Sequence, residues 1–344
     1  MIRLPLCNTA SHSGSVVEPV RAALATSVLI PSLGRTQSLA RCLESLCFQS
    51  VQPDEVLVIW QGDDIATERL VSEWKDRVPY LLRAVHASVA GIVAAENRGL
   101  AAAGGNVVFL IDDDAAAPQS WIENHLRHYC DPSVGAVGGP IRNVSPDGKR
   151  APERHEQPVG RLRWYGKFIG NGFDHPASWR NRAPIEVDHL AGSNFSLRRS
   201  AFSSFDPELR PYWQCFEADV SLQVKSNRFR ILFDFANPVD HWPSGSVYVA
   251  GRHGDLTLKV LNAAFNEAYV LSKHSRIPLR WIRWAYLLLV GAPSVPGLFS
   301  LPLAIRRYGN AALELRLAAD TIRARWAGWR AGAKRRNWRQ SSMP

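Results

Sequence analysis

The sequence has few lysines, no closely spaced pair of cysteines and no segment typical of a secretion signal. Only seven of its 41 lysine and arginine residues are lysine, so arginine carries most of the net charge of +10. The five cysteines are scattered and include no Cys-x-x-Cys pair. This argues against a zinc site or a disulfide framework and favours buried thiols in a reducing compartment. Residues 1–25 lack an apolar core after a basic start, and we interpret them as a flexible leader.

One long stretch of the chain lacks charge altogether, namely residues 285–305. Its 21 positions are nominally enough to cross a bilayer. Three prolines interrupt it, at Pro293, Pro296 and Pro302. Arginine flanks it on both sides, at Arg283 and Arg306. The pattern leaves open a membrane span, a surface or re-entrant segment, and ordinary buried packing.

Residues 311–336 have the pattern of a basic amphipathic helix. Leu315, Ile322, Trp326 and Trp329 recur on one side, and arginine or lysine occupies the others. Arginine together with tryptophan is typical of helices on an anionic membrane surface, although a solvated or partner-binding helix fits the same pattern. This alternation and the lack of a recognised module argue against nucleic acid as the partner.

From residue 26 to about residue 129 the chain alternates strand and helix patterns. This order predicts a parallel sheet covered by helices, with ligands bound at the carboxyl ends of the strands. Residues 140–185 are rich in proline, glycine and aromatics and predict long loops. We therefore expect an α/β domain over residues 26–250 and a helical, basic, membrane-associated region over residues 251–344.

The most informative motif is the acidic triplet Asp112, Asp113 and Asp114. It directly follows the apolar run 107–111, which predicts a strand buried on both faces. Three neighbouring carboxylates repel one another and lose solvation unless a cation neutralises them. Mg²⁺ or Mn²⁺ does this through oxygen ligands. A solvated acidic turn that caps the next helix is the alternative.

Four separate segments carry the remaining motifs, and they follow one another along the chain: residues 27–64, 91–99, 109–121 and 189–245. Together they resemble the family 2 glycosyltransferases of bacterial polysaccharide synthesis. The resemblance implies the GT-A fold, a Rossmann-like and mostly parallel sheet flanked by helices. It also implies an inverting transferase that moves a sugar from a nucleotide diphosphate donor with the help of Mn²⁺ or Mg²⁺.

The resemblance assigns the metal ligands by position. Asp112 and Asp114 match the outer aspartates of the D-x-D motif, and His241 matches a further ligand to metal or diphosphate. A structural histidine beside Trp242 is the alternative for His241. Asp113 is expected on the nucleotide side of the motif.

The catalytic base is assigned in the same way, to Asp219. An acceptor hydroxyl is a poor nucleophile until a carboxylate takes its proton, and this chemistry calls for an acid near the acceptor. Glu217 remains the alternative. In an extended segment the two residues would share a face, whereas in a helix they would diverge by about 200°.

The remaining site residues are expected to contact the nucleotide or the acceptor. Pro31 and Arg35 lie in the first loop, and Gly192, Ser193 and Asn194 form the acceptor-side turn. Asn97 and Arg98 stand where relatives often have a nucleotide contact, with helix packing as the alternative. Gln61 follows the second predicted strand.

Two departures from the family pattern motivate other interpretations. Trp60-Gln61 replaces the usual aspartate that contacts the base, with Asp63 and Asp64 further along, so we expect a different nucleotide or a shifted contact. The base motif reads E-A-D-V-S. A catalytically degraded membrane-associated scaffold, or a non-sugar nucleotide-binding protein, is therefore the alternative function.

The leading hypothesis is a hexosyltransferase-type enzyme. It would take a nucleotide-sugar donor, act on a glycan or lipid-linked acceptor and reside in the cytoplasm, peripherally on the inner face of the cell membrane. A sugar-phosphate nucleotidyltransferase is disfavoured, because the first loop lacks the glycines that would hold a triphosphate.

Overall fold

The computed structural model describes residues 24–155, 158–170, 172–211, 215–243, 256–276, 278–292, 295–308 and 311–341. The expected leader, residues 1–25, therefore lies almost wholly outside the described residues. The described chain forms two compact units. The first comprises described residues within 1–160, 170–205 and 220–244, and the second those within 161–169, 206–219 and 245–344.

The strands are numbered in chain order: β1 (Thr26–Ser32), β2 (Glu55–Gln61), β3 (Leu81–Ala87), β4 (Val107–Leu110), β5 (Ala115–Ala116), β6 (Val134–Gly138), β7 (Ile141–Asn143), β8 (Arg161–Leu162), β9 (Phe168–Ile169), β10 (Ile185–Glu186), β11 (Phe195–Arg198), β12 (Arg230–Phe233), β13 (Val239–His241), β14 (Gly291–Ala292) and β15 (Val295–Pro296). The α-helices are α1 (Thr36–Cys47), α2 (Ile65–Trp74), α3 (Ile92–Ala102), α4 (Trp121–Leu126), α5 (Phe216–Ser226), α6 (Leu256–Lys273), α7 (Leu279–Leu289), α8 (Leu301–Tyr308) and α9 (Ala311–Ser341). Short 3-10 turns follow α4 and occupy the loops.

The first unit is built on an eight-stranded sheet in the order β10-β12-β6-β11-β4-β1-β2-β3. Strands β1 to β4 pair in parallel, whereas β11 runs antiparallel to both β4 and β6. The sheet is therefore mixed. The predicted α/β class with helices around a Rossmann-like sheet is confirmed.

Apolar patterning explains the core of this unit. The central residues of β1, Val28 to Ile30, are fully buried, because β1 lies inside the sheet with layers on both faces. Helix α1 buries Leu39, Leu43 and Leu46, which recur at helical spacing along one face. Asp64 caps α2 by accepting a hydrogen bond from the Thr67 backbone amide.

A second, three-stranded sheet in the order β5-β13-β7 lies just beyond the acidic triplet. In β13, His241 pairs with Ala115 of β5 on one side and with Asn143 of β7 on the other. Because β5 begins directly after Asp114, this pairing carries His241 from a distant part of the chain to the end of β4.

The second unit is helical, and its centre is the contact between α6 and α9. Trp329 of α9 is buried, and its carbonyl accepts a hydrogen bond of 2.7 Å from the Ser272 hydroxyl of α6. Gly328 and Gly332 allow the two backbones to meet, since a Cβ there would lie within 2.3 Å of carbonyl oxygens on α6. The helix predicted over residues 311–336 is present as α9, but Trp329 packs inward.

The uncharged run 285–305 is divided among several short elements. It contains the end of α7, the β14–β15 pair and the start of α8, and Pro293 lies outside the described residues. In the described part of the chain, no helix combines the length and the apolar character needed to cross a bilayer.

Because α6 and α9 approach closely at Gly328, we expect Gly328→Ala to lower the free energy of unfolding. In an exposed helix this change stabilises by about 1 kcal/mol. Here the added Cβ would lie 2.2 Å from the Phe265 carbonyl oxygen, so the helices must move apart. We expect a loss of about 1–3 kcal/mol in the free energy of unfolding, measured by urea denaturation. Ala327→Ser, at an exposed position of α9, is the control and should change little; a stability gain in Gly328→Ala would contradict the packing.

Candidate metal centre

The acidic triplet lies where β4 leaves the sheet. Asp113 and Asp114 are almost completely buried, whereas Asp112 is partly exposed. The chain turns sharply here, because the Ala115 amide donates a hydrogen bond of 3.1 Å to the Asp112 carbonyl. The turn presents the Asp112 and Asp114 carboxylates to the same space.

His241 completes a group of three potential ligands. Its Nε2 lies 3.1 Å from Asp114 Oδ1 and 3.8 Å from Asp112 Oδ2. One ligand atom from each of the three residues lies within 4.8 Å of the others. For metal–ligand bonds of about 2.1 Å in octahedral geometry, adjacent ligands are about 3.0 Å apart and opposite ones about 4.2 Å. The observed separations fit a cation of this size.

The tautomer of His241 also suits a metal ligand. Asn143 Nδ2 donates to Asp174 Oδ2 at 2.9 Å, which turns Asn143 Oδ1 toward the imidazole. His241 Nδ1 lies 3.1 Å from that oxygen and donates its proton to it. With the proton of Nδ1 fixed in this way, Nε2 is the atom that would bind a cation, and outer hydrogen bonds orient ligating histidines in the same manner.

Arg35 supplies the positive charge that the triplet needs within the protein. Its Nη1 lies 2.9 Å from Asp114 Oδ2, and its Nε donates to Asp113 Oδ2 at 3.1 Å. The Ser32 hydroxyl donates to the same Asp113 oxygen at 2.7 Å. Burial lowers the pKa of Arg35, but the three aspartates outweigh it, so the net shift is upward. Arg35 thus stays charged beside the candidate ligands.

The carboxyl groups themselves resist ionisation. Burial raises the pKa of Asp113 to about 7, although Arg35 opposes the shift. Burial also raises the pKa of Asp112, and the charge on Asp114 adds to the rise. A bound divalent cation reverses this situation by favouring the charged forms.

The predicted acceptor-side turn contacts the triplet through Ser193. The Ser193 hydroxyl donates to Asp112 Oδ2, and Ser193 adopts a left-handed backbone with φ of 69°. The Asn194 side chain accepts from Trp121 Nε1 and donates to the carbonyls of Pro140 and Asn237, all within 2.9 Å. Asn194 therefore anchors the start of β11 in the framework. Gly192 is half-buried in the turn.

The other residues predicted to face the nucleotide have contacts within the protein. Gln61 donates to the Ser32 carbonyl and accepts from the Gly91 amide. Asn97 exchanges two hydrogen bonds with the Phe205 backbone, and Arg98 donates to the His86 carbonyl at 3.0 Å. Pro31 is buried in β1 opposite Ile59. Their roles toward a nucleotide stay predictions.

Sequence reasoning missed two residues that shape the centre. Ser32 and Asn143 orient Asp113 and His241, and only Ser32 stood next to a residue already singled out. Asp64, one of the displaced acids, accepts from the Gly34 amide at 2.6 Å and so ties the first loop to the cap of α2. Nothing in the local sequence around Asn143 signals its contact with a histidine 98 positions away.

Asp219 lies in the second unit, in the first turn of α5, within a buried ionic cluster. Lys273 Nζ is 2.7 and 2.9 Å from its two oxygens, and His274 Nε2 is 2.8 Å from Oδ1. Lys273 also contacts Asp206 at 2.6 Å, and Tyr269 donates to that same oxygen. The Lys273, Asp206 and Asp219 side chains are nearly inaccessible to solvent.

These contacts determine the charge of Asp219. Burial acts to raise its pKa, but the hydrogen bond from His274 and the charge of Lys273 hold the pKa well below the usual range. The group is therefore ionised, and in this arrangement it binds a proton weakly. Glu217 lies two residues earlier in the same turn and is half-buried. The assignment of either residue as a base stays a prediction.

Comparison with known proteins gives a family match over about half of the chain. The model of glycosyl transferase family 2 matches residues 27–204, a region that contains β1 to β4, the acidic triplet and β11. The matched region ends before Asp219 and His241.

Two proteins of Haloferax volcanii are similar to this chain. Glycosyltransferase AglE is 26% identical over 132 residues, which are 38% of this chain and 43% of the relative. Glucosyl-dolichyl phosphate glucuronosyltransferase is 29% identical over 173 residues, which are 50% of this chain and 51% of the relative. The chain spans about half the length of the curated relatives it matches.

Solved structures share the fold. GalNAc-T7, determined with UDP, GalNAc and Mn²⁺, has a TM-score of 0.53 and 16% identity, over 84% of this chain and 58% of that one. The mannosyltransferase PcManGT from Pyrobaculum calidifontis, determined with GDP-Man and Mn²⁺, has a TM-score of 0.53 and 17% identity, over 92% and 88%. These similarities support the GT-A type of α/β architecture.

The buried cluster predicts a strong effect of Lys273→Met. The change removes the buried cation that Asp206 and Asp219 share, and we expect a loss of about 3–5 kcal/mol in the free energy of unfolding at pH 7. Because the folded-state pKa of Asp219 is depressed, the stabilisation is complete above about pH 4 and is lost as pH falls further. Urea denaturation at pH 7 and below pH 4 should therefore show a difference from wild type that shrinks in acid.

Lys225→Met is the matched control for this experiment. Lys225 pairs with Asp188, but both side chains are partly exposed. Its loss should cost no more than about 1 kcal/mol. An equally small effect of Lys273→Met would contradict the role given to the buried cluster.

Proposed function

The chain belongs to glycosyltransferase family 2, and we propose that it is a metal-dependent transferase that moves a sugar, with inversion, from a nucleotide diphosphate donor to a hydroxyl of a glycan or lipid-linked acceptor. The observation that carries the proposal is the convergence of Asp112, Asp114 and His241 at the carboxyl end of β4. Ligand sites of open α/β sheets lie at this edge.

The proposed ligands are two carboxylates and one imidazole, a set that suits Mn²⁺ or Mg²⁺. Mn²⁺ is present in the structures of GalNAc-T7 and PcManGT, which supports the choice by analogy. When bound, the ion would neutralise the negative charge that develops on the departing diphosphate.

The chain's own residues prepare this chemistry. Ser193 holds Asp112 by a hydrogen bond, and Asn143 holds His241 in the tautomer that leaves Nε2 free of its proton. Arg35 shares its charge between Asp113 and Asp114. In the proposed reaction Arg35 also reaches a phosphate oxygen of the donor, since a guanidinium can pair with both kinds of oxygen.

We assign Asp219 as the base that takes the proton of the acceptor hydroxyl, with Glu217 as the alternative. Inversion follows from one direct displacement, in which a single carboxylate takes the proton as the hydroxyl attacks. For Asp219 to accept a proton, the substrate complex must weaken its bonds to Lys273 and His274, because these bonds favour the ionised form.

The acceptor and the location are proposed from weaker indications. One relative of this chain is named for glucosyl-dolichyl phosphate, a lipid-linked sugar, and this supports a lipid-linked acceptor. A peripheral position on the inner face of the cell membrane would bring the enzyme to such an acceptor. The side chain at Gln61 is buried in framework contacts, so we propose a nucleotide contact other than the carboxylate usual in relatives.

A thermal-shift screen of nucleoside diphosphates with and without Mn²⁺ tests the metal centre. Binding to the folded state at 100 times Kd stabilises it by about 2.7 kcal/mol, so the wild type should show a shift that requires both ligands. Asp112→Asn should abolish the Mn²⁺-dependent part, whereas Asp76→Asn, at an exposed position, should retain it. No shift for any nucleotide, together with no nucleotide release from common sugar donors, would favour the scaffold interpretation.

Turnover measurements test the base. Asp219→Asn should reduce transfer by a factor of about 10²–10⁴ while nucleotide binding in the thermal-shift assay persists. Glu217→Gln is the matched comparison and should reduce transfer much less. If Glu217→Gln has the larger effect, the base is Glu217; if donor binding and transfer fall equally in both variants, neither residue acts as the base.

A further inference from the structure

More than half of the large apolar side chains that are exposed in the described chain lie in one stretch of the second unit. Of 16 large hydrophobic residues that are exposed in the described chain, ten lie within residues 281–326 of the second unit. Phe299 and Leu303 are the most exposed of these, at 70% and 69%. Exposed apolar residues that occur singly need no explanation, but a dense group indicates an interaction surface.

The positive charge of the protein is concentrated in the same region. Residues 278–341 contain twelve arginine and lysine residues but only two acidic residues, so they carry a net charge of +10. This equals the net charge of the whole chain, and the remaining residues together are neutral. Arg306, Arg316 and Arg330 are exposed. Of the two acids, Asp320 is already paired with Arg323 at 2.8 Å.

The apolar residues belong to elements that pack side by side. The Trp284 ring of α7 lies 5.4 Å from the Trp326 ring of α9. The turn that contains β15 is held to α9 by Arg325, which donates to the Val295 carbonyl. A cavity of about 90 Å³ between this turn and α9 is lined mainly by apolar side chains, including Leu298, Leu301 and Leu317. The exposed residues thus share one part of the unit.

We propose that this docking surface, formed by residues 281–292 and 295–303 and the exposed side of α9, binds an anionic lipid bilayer. Phe299 and Leu303 enter the boundary between headgroups and acyl chains, and the exposed arginines contact lipid phosphates. A nucleic acid would also attract the arginines, but seven of the ten exposed apolar residues are aliphatic and offer no ring on which a base could stack. The proposal extends the membrane location proposed above and is independent of the transfer reaction.

The residues assigned to the membrane differ from those that the helix pattern of 311–336 suggested. Trp329 is buried against α6 and is not available to lipid. The inserting residues lie mainly before α9, in the interrupted apolar run. Deletion of α9 would therefore uncover α6, and point substitutions on the docking surface are the sharper test.

Flotation with lipid vesicles tests the docking surface in the full-length protein. The wild type should float with vesicles of phosphatidylcholine and phosphatidylglycerol, and much less with phosphatidylcholine alone. The double variant Phe299→Asp/Leu303→Asp should reduce the bound fraction by roughly tenfold or more. Phe48→Asp, at a position 65% exposed in the first unit, is the matched control and should bind as wild type does. Undiminished flotation of the double variant would overturn the proposal.

A second pair of measurements separates lipid from other occupants. Arg306→Glu/Arg316→Glu should abolish the preference for anionic vesicles, and wild-type binding should weaken with salt. Binding of the wild type to DNA but not to vesicles would assign the surface to nucleic acid. A wild-type dimer that the double variant converts to monomer, with no vesicle binding by either, would assign it to a second copy of the chain. Both results would refute the lipid proposal, and unchanged melting temperatures of the variants confirm that they fold.

Discussion

The arrangement of the first unit depends on keeping three carboxylates together at the end of a buried strand. Asp112 to Asp114 follow β4 directly, and burial raises the pKa of both Asp112 and Asp113. The protein compensates with one guanidinium, from Arg35, and with hydroxyl donors on either side. A divalent cation at the Asp112–Asp114–His241 group would favour the charged forms of these carboxyl groups.

The small sheet explains how a histidine from the end of the first unit reaches this group. β13 pairs between β5 and β7, so His241 lies beside the chain that leaves the triplet. Asn143, its partner from β7, is in turn fixed by Asp174. The orientation of the imidazole is therefore set by backbone pairing and by one chain of hydrogen bonds, which lets the site form before any ligand arrives.

The second unit contains both a buried cluster of paired charges and a group of exposed arginines. Lys273 is buried among Asp206, Asp219 and Tyr269, where a charged group is tolerated because every charge has a close partner. Arg306 of α8 and Arg316 and Arg330 of α9 are exposed to solvent. Few acids lie near them in the sequence, and they accompany the densest group of exposed apolar side chains in the described chain. The first arrangement fixes buried side chains in a core. The second is part of the docking surface that we propose for an anionic bilayer.

The sequence by itself determined the features that depend on neighbours along the chain. The order of strand and helix patterns after residue 26 indicated the parallel strands β1 to β4, and the D-x-D motif indicated Asp112 and Asp114. His241 was implied only by the family resemblance. Only the tertiary structure decided the antiparallel direction of β11, the burial of Trp329 and the enclosure of Asp219 by Lys273. Periodicity reports which side of an element is apolar, but it does not report what covers that side. Pairing across 54 positions, as between Asp219 and Lys273, follows from how helices pack and leaves no local pattern.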